Sequence, residues 1–353
     1  MQEKRFTVIP KASIRPNKIV FYQQFINNLI KEKNVSQSIS QDVRQEVRDM
    51  GLPVRVQPLA NTHNFELSKK ASSRIKEKVS WLYELSKSKT VIPSIGKPLY
   101  SFKMNFITLT LPSIQQHTTA EITSICLNQF LTECKAKFNL QNYVWRLEFQ
   151  KNGNAHYHIA TDSYIDYTSC KLIWNRCLNK LGYVARYQEK MQGLTFEMYR
   201  EMYNNDGNVH FNTLRERFGR GCATRWDSPN TVDVRCVGNA KNIAFYISKY
   251  ITKKSDEKLN PIVSSREPTE TNLRLWFCSK SLSALDKIEI FMDGMSDLTC
   301  AVLSGIENAK RFIFDYCSVW YFNGVEQLGT TRRNLWLLYR EYAYERGYKP
   351  AGT

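Results

Sequence analysis

The chain of 353 residues is 42% hydrophobic and carries 50 Lys and Arg against 33 Asp and Glu, a net charge of +17 and a pI near 9.4. Its length and apolar content exclude a wholly disordered chain and suit about two or three domains. The charge calls for a polyanionic partner, nucleic acid ahead of an anionic membrane surface, because no run reaches the roughly 18 apolar residues of a spanning helix.

The opening Met1-Gln2-Glu3-Lys4-Arg5-Phe6 lacks the apolar core of a signal peptide, so a cytoplasmic location is expected. Residues 1–60 are polar and mixed, with a helix predicted around Val20–Glu32 and a Gln/Ser-rich stretch near Ser36–Gln45. From Leu67 to Lys89 the apolar positions Leu67, Ala71, Ile75, Val79, Leu82 and Leu85 recur at helical spacing, leaving a face rich in lysine. Pro93, Gly96 and Pro98 then break the pattern and mark a boundary, so residues 1–95 form an N-terminal basic region.

Phe102–Leu111 reads as a strand stopped by Pro112. Thr118 and Glu121 have the form of a capping box that opens a helix from Thr119 to Phe138. Tyr143–Gln150 and Ala155–Thr161 read as the two arms of a hairpin turned at Lys151-Asn152-Gly153-Asn154. Asp166 caps a further helix that Gly182 closes. A basic, aromatic insert at 183–230 follows, then a strand at Thr231–Val237, a helix at Asn242–Lys254 and a strand at Leu273–Cys278.

This order predicts an α+β fold with an antiparallel sheet and helices on one face, over residues 96–285, followed by a helical extension at 286–353. The nine cysteines contain no C-x-x-C pair and are expected to be reduced and mostly buried.

His156-Tyr157-His158 sits on the second arm of the hairpin, where strand alternation turns both imidazoles to one face and Tyr157 to the other. Two adjacent imidazoles suit a divalent metal. A hairpin loop of three residues, Asn152 to Asn154, or of five, with the numbers of opposed residues summing to 306, places Glu148 opposite His158 and Gln150 opposite His156 on that same face, making Glu148 the leading third ligand and Gln150 the reserve. Further along, Tyr246 and Tyr250 are one helical turn apart, and Lys249 and Lys253 repeat the spacing.

Together, the strand Phe106-Ile107-Thr108-Leu109-Thr110, the His156/His158 hairpin and the Tyr246/Tyr250 helix resemble, in order, the motifs of HUH rolling-circle replication initiators. The paired tyrosines are similar to the two-tyrosine branch found in small bacteriophages and some bacterial plasmids. The segment Leu275–Leu282 is similar to one that follows the tyrosine helix in such proteins.

The resemblance implies a ferredoxin-like or RRM-like core and a Mn²⁺ or Mg²⁺ ion on His156, His158 and Glu148 or Gln150. It also implies nicking through a 5′-phosphotyrosine on Tyr246 or Tyr250, with Lys249 and Lys253 beside the phenols, and later rejoining of the strand. Implied partners are single-stranded or hairpin origin DNA, a host helicase and a DNA polymerase. In the insert, Arg215, Arg217, Arg220 and Arg225 are candidate phosphate contacts, and Trp226, with Tyr187 and Phe218, a candidate stacking surface. Competing readings are a two-tyrosine transposase or mobilisation relaxase, a metal-dependent hydrolase, and a non-catalytic nucleic-acid-binding protein.

Overall fold

The computed structural model describes residues 6–27, 67–91, 100–204, 207–238, 273–291, 310–314, 317–322 and 331–351. The chain divides into two units, one made of residues 1–64 and 286–342 and the other of residues 65–285 and 343–353.

In the first unit, β1 (Phe6–Arg15) and β2 (Lys18–Asn27) form a hairpin. The remaining strands are β10 (Ile288–Phe291), β11 (Lys310–Phe314) and β12 (Cys317–Tyr321), giving a sheet in the order β10-β1-β2-β12-β11. The helix expected at Val20–Glu32 is thus replaced, through Asn27, by a strand. Its Ile19 and Val20 pair with Trp320 and Val319 across the sheet, and this distant pairing overrides the local pattern. The C-terminal part, expected to be helical, also contributes strands. Among the described residues there, a helix runs from Thr331 to Glu345.

The second unit opens with α1 (Lys69–Leu85), capped by Ser68, whose hydroxyl accepts from the Ala71 amide. Ile75, Val79, Trp81 and Leu82 are fully buried, and the helix packs against the strand Tyr143–Phe149. Lys69, Lys70 and Lys76 are exposed, as the spacing predicted, whereas Lys78 is half-buried and donates to the Ser283 and Leu285 carbonyls. Two short strands, β3 (Lys89–Val91) and β4 (Tyr100–Phe102), pair with each other.

The central sheet is antiparallel throughout. It comprises β5 (Met104–Leu109), β6 (Tyr143–Phe149), β7 (Ala155–Thr161), β8 (Val232–Val237) and β9 (Trp276–Cys278), in the order β8-β5-β7-β6-β9.

One face of this sheet, carrying Ile107, Leu109, Trp145, Leu147, Tyr157 and Ile159, is covered by helices. The first runs as α2 (Thr119–Glu121), a wider π-helical turn (Ile122–Leu127) and α3 (Asn128–Phe138). The second is α4 (Tyr167–Asn179). Both N-termini are closed as expected. Thr118 accepts from the Glu121 amide while the Glu121 carboxylate accepts from the Thr118 amide, and Asp166 accepts from the Ser169 amide. Ile122, Cys126, Phe130, Cys170 and Trp174 supply the helical half of the core. The architecture is α+β.

The insert folds as three helices, α5 (Tyr183–Gln192), α6 (Phe196–Tyr203) and α7 (Phe211–Ala223), around a small core of Met191, Tyr199, Leu214 and Trp226. After α7, Arg225 and Trp226 both take positive φ, of 53° and 56°, which folds the Trp226 ring back over Gly221. A Cβ on Gly221 would lie 2.3 Å from that ring, so the close approach requires glycine. Among the described residues the next helix, α8 (Lys280–Ser283), comes directly after β9. Among the described residues no helix is long and apolar enough to cross a membrane. The described cysteines are all free thiols, and burial pushes Cys126 and Cys134 up to about 12.

Candidate functional site

The side chains of interest lie on the sheet face away from α2–α4. Strand β7 is central, flanked by β5 and β6, so His158 meets partners from both neighbours, while His156 pairs with β6. Tyr157 anchors the strand from the other face. It is fully buried, its hydroxyl is 2.8 Å from Thr123 Oγ1, and its ring meets Trp145 and Trp174 edge-on. With Tyr157 committed to the core, alternation leaves His156 and His158 together on the opposite face, with ring centroids 4.5 Å apart.

The register differs from expectation by two residues. The connecting turn spans Gln150 to Asn154, so Glu148 lies opposite His156, and Arg146 lies opposite His158. The parity is unchanged, and Glu148 still shares the histidine face. Gln150, the reserve ligand, sits beyond the ladder, where its amide donates to the Asn154 carbonyl.

The turn is fixed from outside the hairpin. Asn154, 2% exposed, accepts from the Gln115 amide and donates to the Ser113 carbonyl, each at 2.8 Å. The Gln115 side chain accepts in turn from the Ala155 amide at 2.7 Å. These bonds tie the turn to the segment between β5 and α2.

On the site face the polar groups form a chain across three strands. Thr108 Oγ1 is 3.2 Å from His158 Nδ1, His158 Nε2 is 3.1 Å from Glu148 Oε2, and Arg146 Nη1 is 3.0 Å from Glu148 Oε1. The Arg146 and His158 side chains are each 8% exposed and that of Glu148 is 14% exposed. Burial alone would raise the Glu148 carboxyl. The His158 hydrogen bond and the electrostatic influence of the neighbouring His158, Arg146 and His156 side chains outweigh it and hold the carboxyl below its usual range.

Sequence reasoning gives Thr108 and Arg146 no role at the site. Arg146 is two residues from Glu148 and therefore shares its face, a signal that strand parity alone carries. Thr108 becomes recognisable only once β5 is paired with β7.

Two ligand atoms about 2.1 Å from one octahedral ion and about 90° apart are about 3.0 Å from each other. The Nε2–Oε2 separation of His158 and Glu148 matches that spacing, and the nitrogen and oxygen donors suit a divalent cation. Among the described residues, however, no three His, Cys, Asp or Glu side chains already converge as a ready metal-binding group. As placed, His158 spends Nε2 on Glu148, and an ion would enter by replacing that bond. The donor set fits in kind and adjacency, and Thr108 at Nδ1 would then orient the ring as an outer partner.

The comparisons bear on this segment. Residues 104–255 match the family described as replication-associated protein, ORF2 type. The match starts at β5 and takes in the whole histidine hairpin and the insert. It supports a replication initiator of the Rep type. No curated protein and no solved structure gives a significant match.

Of the other candidates, Tyr246, Lys249, Tyr250 and Lys253, with the helix predicted to bear them, lie outside the described residues. Arg215, Arg217 and Arg220 are exposed on α7, and Arg225 is exposed on the turn after it. Trp226 corrects an expectation. At 7% exposed it is core, in ring contact with Tyr187, Tyr199 and Phe218, so neither it nor these neighbours form an open stacking surface. Three short helices need a core of their own, and the aromatic residues of the insert provide it.

Proposed function

We propose that the protein is a rolling-circle replication initiator of the HUH type, which nicks one strand of origin DNA and later rejoins it. The observation that carries this reading is the His156/His158 pair facing Glu148 on the central strands of a segment that matches the replication-associated family. His156, His158 and Glu148 would hold a Mn²⁺ or Mg²⁺ ion. When bound, the ion supplies Lewis-acid polarisation of a phosphoryl oxygen.

The chain's own groups do the rest. A phenol of Tyr246 or Tyr250 loses its proton and attacks phosphorus. The P–O3′ bond breaks as the new P–O bond forms, leaving a 5′-phosphotyrosine, and the departing oxygen takes a proton to become a free 3′-hydroxyl. Free phenol has a pKa of about 10, so a nearby cation assists, and Lys249 and Lys253, close to the tyrosines in sequence, are the candidates. Arg146 keeps Glu148 ionised and fixed. Two tyrosines four residues apart in sequence would allow one to hold the first 5′ end while the other cuts the regenerated origin. Arg215, Arg217, Arg220 and Arg225 would track the backbone of the single strand, and unwinding and synthesis would fall to a host helicase and polymerase.

The test uses a labelled single-stranded origin oligonucleotide and Mn²⁺ on a denaturing gel, comparing parent and Tyr246→Phe/Tyr250→Phe proteins. A protein-linked band that disappears in the double variant and with chelator is expected. Free cut ends without an adduct would instead mean a hydrolase, and intact bound DNA a binding protein.

A further inference from the structure

At the Tyr143 end of β6, on the helix-covered side of the sheet, the second unit holds an open cavity of about 590 Å³. It is separate from the histidine site. Tyr143 is five residues from Glu148, about 17 Å at about 3.4 Å per residue, and on the opposite face. Four cations line it, Lys135 from α3, Lys280 from α8, and Arg346 and Lys349 from the segment after the last helix. No acidic residue is among its lining. Glu345, outside the lining, approaches Arg346 at 3.5 Å.

The other wall is aromatic. Tyr143 and Phe277 lie with ring centroids 6.4 Å apart, and Phe277 is 37% exposed. Both also line a second cavity of about 360 Å³, in which the Arg274 guanidinium stands 5.2 Å over the Phe277 ring. A phenyl group thus separates two cavities, with cations at both.

The cations are held in place from below. Asn142 and Asp162 are both fully buried. Asn142 Nδ2 donates to the Lys349 carbonyl at 2.6 Å and to Asp162 Oδ2 at 2.9 Å. The same carboxylate oxygen accepts from the Tyr348 hydroxyl and the Ala351 amide, each at 3.1 Å. The backbone bearing Arg346 and Lys349 is therefore pinned to the sheet end by a buried carboxylate. Ser281, which donates to Asn142 Oδ1 at 2.7 Å, extends the polar floor.

We propose that this cavity is a second nucleic-acid site, which takes one or two nucleotides of a single DNA strand away from the cleavage centre. Its volume lies in the range of sites for nucleotide-sized ligands and is too small for a duplex. Phe277 and Tyr143 offer faces for a base, and the four cations meet phosphates, the combination that single-strand binding uses. The inference rests on the DNA reading above only for the identity of the ligand, and its test requires no cleavage.

The test is anisotropy of a fluorescein-labelled oligothymidine of about 20 nucleotides with the full chain in EDTA, over a series of NaCl concentrations. Lys280→Glu/Lys349→Glu is compared with Lys69→Glu/Lys70→Glu, an equal charge change on exposed positions of α1. The cavity pair should weaken binding at least about tenfold and reduce the log–log salt slope by about 1.4, two contacts at about 0.7 each. The α1 pair should stay within about twofold of the parent. Phe277→Ala should weaken binding about tenfold with little change in slope. Equal losses in the cavity and α1 pairs, or parental binding by Phe277→Ala, would overturn the proposal. A protein that behaves as expected here yet forms no tyrosine adduct would refute the nickase reading and leave this one standing.

Discussion

Replacing Asn154 by alanine probes whether the hairpin turn is fixed from outside, as its contacts require. The substitution removes the acceptor of the buried Gln115 amide and the donor to the Ser113 carbonyl. A buried donor left without a partner costs about 1–3 kcal/mol, and loss of the second, less buried bond about 0.5–1.5 kcal/mol, so a destabilisation of about 1.5–4.5 kcal/mol is expected. For a unit of this size, at about 2–4 °C per kcal/mol, that corresponds to roughly 3–18 °C in Tm. Urea and thermal unfolding followed by far-UV circular dichroism would measure it. The companion Gln115→Ala releases the Ala155 amide from the same junction, so the two substitutions should be non-additive by at least about 0.5 kcal/mol in a double-mutant cycle. A loss below about 1 kcal/mol for Asn154→Ala, together with strict additivity, would refute the idea that this network sets the register of His156 and His158.

Three further outcomes are expected. Arg146→Met breaks an ion pair whose side chains are 8% and 14% exposed and, with His158 still on Glu148, should cost about 3 kcal/mol in urea unfolding. Gly221→Ala forces a methyl group to within 2.3 Å of the Trp226 ring. It should destabilise the helical insert by about 1–3 kcal/mol or more, read as faster limited proteolysis within residues 183–230. Asp166→Ala removes a helix cap and should cost about 1 kcal/mol at neutral pH. Burial opposes ionisation of Asp166, but its hydrogen bonds to Ser169 prevail and lower its pKa. Its contribution is therefore full above the unfolded value of about 3.9 and is lost as pH falls through the lower folded value, so parent and variant should converge in acid.

Local chemistry is legible wherever neighbours in sequence decide the outcome. The Thr118–Glu121 box, the Asp166 cap and both arms of the histidine hairpin follow from residues a few positions apart. Parity across the hairpin is legible too, which is why Glu148 falls on the right face. Its pairing partner is not, because Gln115 and Ser113, about 40 residues away, hold the turn. Thr108 escapes for a related reason, since its role depends on which strand lies beside which, whereas Arg146 shares the parity of Glu148 on the same strand and is open to the same reading. The aromatic residues of the insert read as exposed because composition cannot distinguish a stacking surface from a small core. The N-terminal strand β2 reads as a helix although β1 adjoins it, because its other partner lies some 300 residues downstream.

That last pairing has a consequence during synthesis. Ala12 pairs with Ile290 and Val20 with Val319, so the β1–β2 hairpin leaves the ribosome with both outer edges unsatisfied. The histidine-bearing sheet, whose strands lie between Met104 and Cys278, can close before either edge finds its strand. The first unit is therefore the slower to assemble, by its much longer sequence separations, and its open edges are the part of the nascent chain most exposed to mispairing. Expression at lower temperature, or fewer chains synthesised at once, should raise the soluble yield by giving that late closure time to win.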